Sequence, residues 1–226
     1  FDEDCLSLAK GAVVPALGTR QDLRNIPLIT IDGEDAKDFD DAVFAEPEAN
    51  GNWRLIIAIA DVAAYVTSDS PLDREARIRG NSVYLPGTVI PMLPEALSNG
   101  VCSLHPNEDR ACLAVEIIIS SDGLKQSHRF MRGLMRSHAR LTYTAVQQVI
   151  EEKIDESDLP VPTGVLHHLI GAYRCLLAAR KMRGTLHLDV PERRIVFSDD
   201  GHAESAIMCG QWEANQLIEE FMIAAN

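Results

Sequence analysis

No apolar run in the sequence approaches the ~20 residues needed to cross a bilayer, so no membrane-spanning helix is expected. A secretory leader is not expected either. The chain opens on the acidic Phe1-Asp2-Glu3-Asp4, where a leader carries basic residues. Phe1 also stands where a starting Met would be, which reads as a cut or processed terminus. There is no C-x2-C pair. The five cysteines, Cys5, Cys102, Cys112, Cys175 and Cys209, are odd in number and widely spaced. That argues against a disulfide framework or a zinc site and for reduced thiols in a cytoplasm. His105, His128, His138 and His202 fall in no metal-ligand spacing and read as structural or surface residues. Internal repeats, low-complexity segments and nucleophilic Ser or Cys motifs are absent too.

What is present is enough for one core. At 226 residues and 46% hydrophobic, the chain reads as a single domain. The net charge of −13 gives no support to a nucleic-acid partner, because phosphate binding draws on clustered Lys and Arg. Placement matters more than the total. Gly123 through Ile150 contains no acidic residue, yet it holds Lys125, Arg129, Arg132, Arg136 and Arg140.

Local patterns predict a mixed set of elements. Residues 2–13 read as a short helix ending near Gly11. Ile26–Ile31 and Ala42–Ala45 are apolar runs on either side of an acidic stretch. Trp53–Val62 (WRLIIAIADV) is the clearest buried strand, and the turn residues from Pro47 to Asn52 predict a hairpin before it. Ser70–Gly80 reads as a helix with Pro71 in its first turn. Ser82–Met92 reads as extended, and Ala111–Ser120 as a strand turning at Ser121-Asp122-Gly123 into a partner from Lys125. Helices are expected at Thr142–Lys153, at Val165–Arg183 and from about Glu213, with a strand at Arg193–Phe197. Strands and helices do not alternate strictly, so the fold class is α+β with a mixed sheet. The last helix carries an apolar stripe of Leu217, Ile218, Phe221, Met222 and Ala225. With nothing after it to pack on, the stripe is expected to stay partly uncovered, as in a truncated domain.

The densest chemistry lies in Thr30-Ile31-Asp32-Gly33-Glu34-Asp35-Ala36-Lys37-Asp38-Phe39-Asp40-Asp41, where six carboxylates fall within ten residues. Most acidic runs are solvated loops. This one joins two buried strands directly, and packed carboxylates raise one another's pKa unless a cation neutralises them. Mg²⁺ suits such a set of oxygen ligands. A calcium loop of the EF-hand kind does not fit, since Lys37 stands where its glycine belongs and Val43 where its glutamate belongs.

Ile29-Thr30-Ile31-Asp32, then Asp38-Phe39-Asp40-Asp41-Ala42-Val43, resembles the signature of the ribonuclease II/ribonuclease R catalytic domain (RNB type). The resemblance continues in order through Ile59-Ala60-Asp61-Val62, Ser82-Val83-Tyr84-Leu85-Pro86-Gly87 and Ile90-Pro91-Met92-Leu93-Pro94. It then takes in Cys102-Ser103-Leu104, Ser137-His138-Ala139-Arg140-Leu141-Thr142-Tyr143 and Leu217-Ile218-Glu219-Glu220-Phe221-Met222. On that basis residues 1–21 are a lead-in helix and loop, and residues 22–226 are the core of a catalytic domain whose C-terminal third is missing. Relatives also carry oligonucleotide-binding β-barrel domains on either side, which this chain has no room for.

The resemblance implies a Mg²⁺-dependent exoribonuclease that degrades single-stranded RNA processively from the 3′ end to nucleoside 5′-monophosphates. Asp32, Asp38, Asp40 and Asp41 match the family's metal-binding aspartates one for one. Asp32 and Asp41 are expected to be the more direct ligands, and Asp40 to position metal or water for attack. Glu34 and Asp35 have no implied role and read as solvated. Tyr84 matches a tyrosine that stacks near the RNA 3′ end, although a half-buried strand tyrosine is the ordinary reading of its surroundings. The facing aromatic usual in the family is missing from His187-Leu188-Asp189. Arg132, Arg136 and Arg140 share one side of a strand or of a helix and are candidates for phosphate contact. Tyr143 resembles an RNA-contacting tyrosine but also suits a core position at a helix start. Two rivals stay open: a non-catalytic RNA-binding domain of the same fold, and a two-metal phosphohydrolase acting on small substrates.

Overall fold

The computed structural model describes residues 1–85, 88–186, 192–198, 203–209 and 212–226. Its strands are β1 (Gln21–Asp22), β2 (Ile29–Asp32), β3 (Asp41–Pro47), β4 (Trp53–Ala60), β5 (Val83–Leu85), β6 (Thr88–Ile90), β7 (Asp109–Ile119), β8 (Lys125–Arg136), β9 (Ala139–Thr142), β10 (Glu192–Phe197) and β11 (Ala203–Cys209). Its longer helices are α1 (Glu3–Lys10), α2 (Pro71–Arg79), α3 (Tyr143–Ile150), α4 (Val165–Met182) and α5 (Glu213–Ala225). Pro86 and Gly87, His187-Leu188-Asp189 and His202 lie outside the described residues.

Seven strands form one mixed sheet in the order β1-β8-β7-β4-β3-β2-β9, which bears out the α+β class. Neighbours from β8 to β2 are antiparallel, while β1 on β8 and β2 on β9 are parallel. The segments 21–32 and 133–142 therefore run side by side. Between their two paired stretches, Leu23 N–H donates to Leu134 O (2.9 Å) and His138 N–H to Leu28 O (2.8 Å). Arg20 adds an ion pair to the buried Asp61 (2.8 Å), pinning the lead-in segment to the end of β4.

The central strands read as nearly continuous apolar runs because both faces of the sheet are covered. Val43, Ala45, Leu55, Ile57 and Ile117 pack with residues of α3, α4 and α5, while Ala42, Phe44, Ile56, Ala58 and Ala114 pack with residues of α1 and α2. Helix starts follow local chemistry. Asp2 accepts from Cys5 N–H (2.8 Å), Ser70 from Asp73 N–H (3.2 Å) and Thr142 from Ala145 N–H (3.2 Å). The start of α4 is capped from a distance instead. Buried Glu156 accepts from Gly164 N–H (2.7 Å), from Leu166 N–H and from His167 N–H (3.3 Å). The β7–β8 turn needs Gly123 twice over, for its φ of +77° and because a Cβ there would lie 2.2 Å from Cys175 O on α4.

One expectation needs correction, and the extended segment gains detail. The stripe on α5 is mostly covered, with Met222 and Ala225 partly buried. Leu217, Ile218 and Phe221 are buried in the same core as α3, α4 and β4, partners too far away in sequence for a local pattern to reveal. The extended segment 82–92 is a separate two-stranded hairpin, β5–β6, with every described strand residue exposed.

Candidate active site

β2 ends at Asp32 and β3 begins at Asp41, so residues 33–40 form a loop tied at both ends to buried strands. Phe39 is its anchor. The ring is buried, edge-on to His105 with centroids 5.3 Å apart, and the Arg140 guanidinium lies 5.0 Å from its centre. Phe39 N–H donates to Ser103 Oγ (2.9 Å), whose hydroxyl donates to Lys37 O (3.1 Å), and Leu104 N–H donates to Phe39 O (2.8 Å). At the other end Arg140 Nη2 donates to Gly33 O and Glu34 O, both at 2.8 Å. Thr144 donates its hydroxyl to the Glu34 carboxylate. Glu34 is exposed, but these contacts correct its reading as a merely solvated residue.

The brace holds carboxylates where water hydrates them poorly. Burial raises Asp32 from 3.8 to about 7, and the neighbouring Asp41, Asp40 and Asp38 charges push the same way against Arg140. Asp41 rises to about 6 through burial and then Asp40. Asp40 keeps exposed surface, yet its carboxyl is also raised, first by lost hydration and then by Asp38. Asp32 Oδ2 is buried with no hydrogen-bond partner. Among the described residues, no three His, Cys, Asp or Glu side chains are already gathered closely enough to hold a metal ion. The donor set nevertheless fits one. Hard carboxylate oxygens crowd together without matching positive charge, and one of them is buried and unpartnered.

One Asp38 oxygen is engaged from outside the loop: Oδ2 accepts from the Tyr84 hydroxyl at 2.9 Å. Tyr84 stands on the β5–β6 hairpin and is 65% exposed, so it is not the half-buried strand tyrosine of the ordinary reading. Tyr143 opens α3 and packs partly into the core. Burial, then the Asp32 and Asp41 charges, push its hydroxyl up to about 12, which places it beside the aspartates.

The three arginines do not share one face. Arg132 and Arg136 lie on β8, but Ser137 and His138 break the strand and Arg140 belongs to β9 at the other end of the strand order. Arg136 pairs with Asp109 (2.7 Å), which Arg24 also engages (3.2 Å). Arg132 is exposed with no ion pair among the described residues. Register puts Asp41, Ile59, Leu113 and Arg132 opposite one another on successive strands, so Arg132 lies three strand spacings, about 14 Å, from Asp41. Ile59 and Leu113 are both exposed along that row. Sequence reasoning assigned no role to Ser103 or Thr144. The one available signal for Ser103 was its place in Cys102-Ser103-Leu104.

Comparison with known proteins places the chain in a family. The model of the RNB domain matches residues 20–226. Ribonuclease R of Vibrio parahaemolyticus is 48% identical over 209 residues, covering 92% of this chain and 25% of that protein. The chain thus spans about a quarter of the length of such relatives. The structure of Mycoplasma genitalium RNase R in complex with ribose methylated single-stranded RNA matches with a TM-score of 0.93 and 29% identity, over 100% of this chain and 36% of that one. Yeast Ssd1, described as a pseudonuclease, matches with a TM-score of 0.71 and 18% identity over 95% of this chain and 26% of its own, a likeness of fold alone. Matched along nearly its whole length in sequence and throughout in fold, the chain belongs to the RNB domain family.

Proposed function

We propose that the chain is part of the catalytic domain of a cytoplasmic, Mg²⁺-dependent exoribonuclease that degrades single-stranded RNA processively from its 3′ end to nucleoside 5′-monophosphates. The observation that carries this reading is the aspartate loop itself, where burial and mutual repulsion raise Asp32, Asp40 and Asp41 and leave a buried Asp32 oxygen unpartnered. The ribonuclease R relatives, one of them solved with single-stranded RNA, support the substrate class. Polarity, processivity and product follow from the family resemblance. Oligonucleotide-binding domains on either side of the catalytic domain belong to the same proposal.

Asp32, Asp38, Asp40 and Asp41 would hold the cation. When bound, Mg²⁺ supplies an activated water and neutralises charge on the phosphoryl and leaving oxygens. The chain's own residues do the rest. Arg140, Ser103 and Phe39 fix the loop so that the carboxylates keep their spacing. The Tyr84 ring, exposed beside Asp38, offers a stacking surface that accepts any base, which suits an enzyme without sequence preference. Arg132 and Arg136, both exposed on either side of the buried Gly133–Met135 stretch of β8, offer phosphate contacts. Arg140 serves the loop first, and Tyr143 borders the site from α3.

The test is to incubate the full-length protein with 5′-labelled single-stranded RNA while titrating Mg²⁺. The proposal expects mononucleotide release from the 3′ end that stops when the metal is chelated. Binding without hydrolysis would favour a non-catalytic RNA-binding domain. Hydrolysis of nucleotides but not oligonucleotides would favour a small-substrate phosphohydrolase.

A further inference from the structure

We propose that Tyr84 latches the metal site: its hydroxyl holds Asp38 apart from the other aspartates until a terminal RNA base takes the tyrosine ring, so that substrate completes the site. The inference rests on the functional reading above, in which Asp38 is a ligand and the Tyr84 ring a stacking surface.

The geometry separates the two ends of the tyrosine. Its hydroxyl donates to Asp38 Oδ2 at 2.9 Å, a bond between residues 46 apart that crosses from the hairpin to the aspartate loop. Its ring is left exposed to solvent. An oxygen engaged this way has a donor to lose before it can turn toward a cation, so metal binding without RNA carries an added penalty. Asp38 and Asp40 flank the anchored Phe39 in the same braced loop, so a released Asp38 carboxylate has only a short way to turn to join its neighbours.

The hairpin stands apart from the main sheet. β5 and β6 bond only to each other as strands, separate from the seven-stranded sheet. At its base, Ser82 Oγ accepts from Met92 N–H (3.0 Å) and Arg79 donates to Pro91 O (3.2 Å), closing the segment where it leaves α2. Val83, Leu85, Val89 and Ile90 each keep about half of their surface exposed, and none belongs to either core cluster among the described residues. A base stacking on Tyr84 gains free energy from the ring, and a small shift of the hairpin then parts hydroxyl from carboxylate. Tyr84 is thereby a positioning residue for Asp38 as well as a stacking surface.

The experiment measures Mn²⁺ binding to the full-length protein by electron paramagnetic resonance. It compares protein alone with protein bearing an oligoribonucleotide whose 3′-terminal linkages are phosphorothioates, which slow hydrolysis. In the wild type, RNA should tighten Mn²⁺ roughly three- to tenfold, the scale of one partly exposed charge-assisted hydrogen bond. Tyr84→Phe keeps the ring and drops the hydroxyl. It should bind Mn²⁺ tighter than wild type by about that factor without RNA, and gain little more with it. An unchanged or weaker affinity in Tyr84→Phe would overturn the latch. Asp32→Asn separates that failure from failure of the functional reading. If Asp32→Asn lowers Mn²⁺ affinity while Tyr84→Phe behaves as wild type, only the latch is wrong. If Asp32→Asn leaves Mn²⁺ binding untouched, the metal-site reading falls and the latch with it.

Discussion

Single residues set the chemistry of this molecule, and Asp32 shows how. Its raised pKa means the folded chain holds a proton that the unfolded chain has released, from about pH 4 up to about pH 7. Over that window the carboxylate lowers stability progressively as pH rises. Asp32→Asn removes the titration while keeping the shape. In metal-free buffer its melting temperature should therefore match wild type near pH 4 and exceed it by a few degrees near pH 8. Excess Mg²⁺ at pH 8 should reverse the order. A difference that does not change with pH would mean Asp32 is freely hydrated. Tyr84→Ala, which loses ring and hydroxyl together, should change the length of the limit product, because short oligonucleotides depend most on the lost stacking. An unchanged product ladder on a sequencing gel would show that the ring contributes nothing to RNA. The acidic cluster was legible in the sequence because so many like charges between two apolar runs have no solvent reason to be there, while the choice of four of its six carboxylates as ligands came from the family resemblance. Ser103, Thr144 and the bracing role of Arg140 were not. They reach the loop across 66, 110 and 107 residues of chain, and nothing in local spacing encodes those contacts.

At the scale of elements, most of the fold could be read directly. The β3–β4 hairpin, the β7–β8 pair and the start of α5 at Glu213 follow from turn residues and apolar periodicity. β9 escaped because Ala139–Thr142 is short and alternates with polar residues, and because a two-residue break from β8 looks like continuity in sequence. That break is what separates Arg140 from Arg132 and Arg136. α4 depends on two contacts that local propensity does not show. A Cβ at Gly171 would lie 2.7 Å from the Trp53 ring, so Gly171→Ala should overpack the α4–sheet contact and destabilise by ~1–3 kcal/mol. Glu156→Ala should cost about 1–3 kcal/mol by orphaning the N–H groups at the start of α4. Urea unfolding of both variants checks these values, and wild-type midpoints would show that α4 is held by its apolar face alone.

For the whole molecule the question is how a chain of net charge −13 would hold RNA. The answer offered here is placement: an exposed Arg132 at the end of a cross-strand row that begins at Asp41, and an Arg136 already partly neutralised by Asp109. In the full-length protein, Arg132→Gln should therefore lower the slope of log affinity against log salt by about 0.7, the single-strand value for one phosphate contact. Arg136→Gln should lower it by less, and equal slopes for all three proteins would remove both arginines from the interface. Fold likeness extends to a protein described as a pseudonuclease, so architecture by itself does not decide activity, and the proposed activity rests on the aspartates. The most direct measurement is single-turnover RNA cleavage beside filter binding for full-length wild type and Asp40→Asn. Cleavage should fall by roughly 100-fold or more, as when a group stabilising developing charge is lost, with RNA affinity held within a few-fold. Near-normal cleavage by Asp40→Asn would contradict the assignment of the aspartate loop as the catalytic centre.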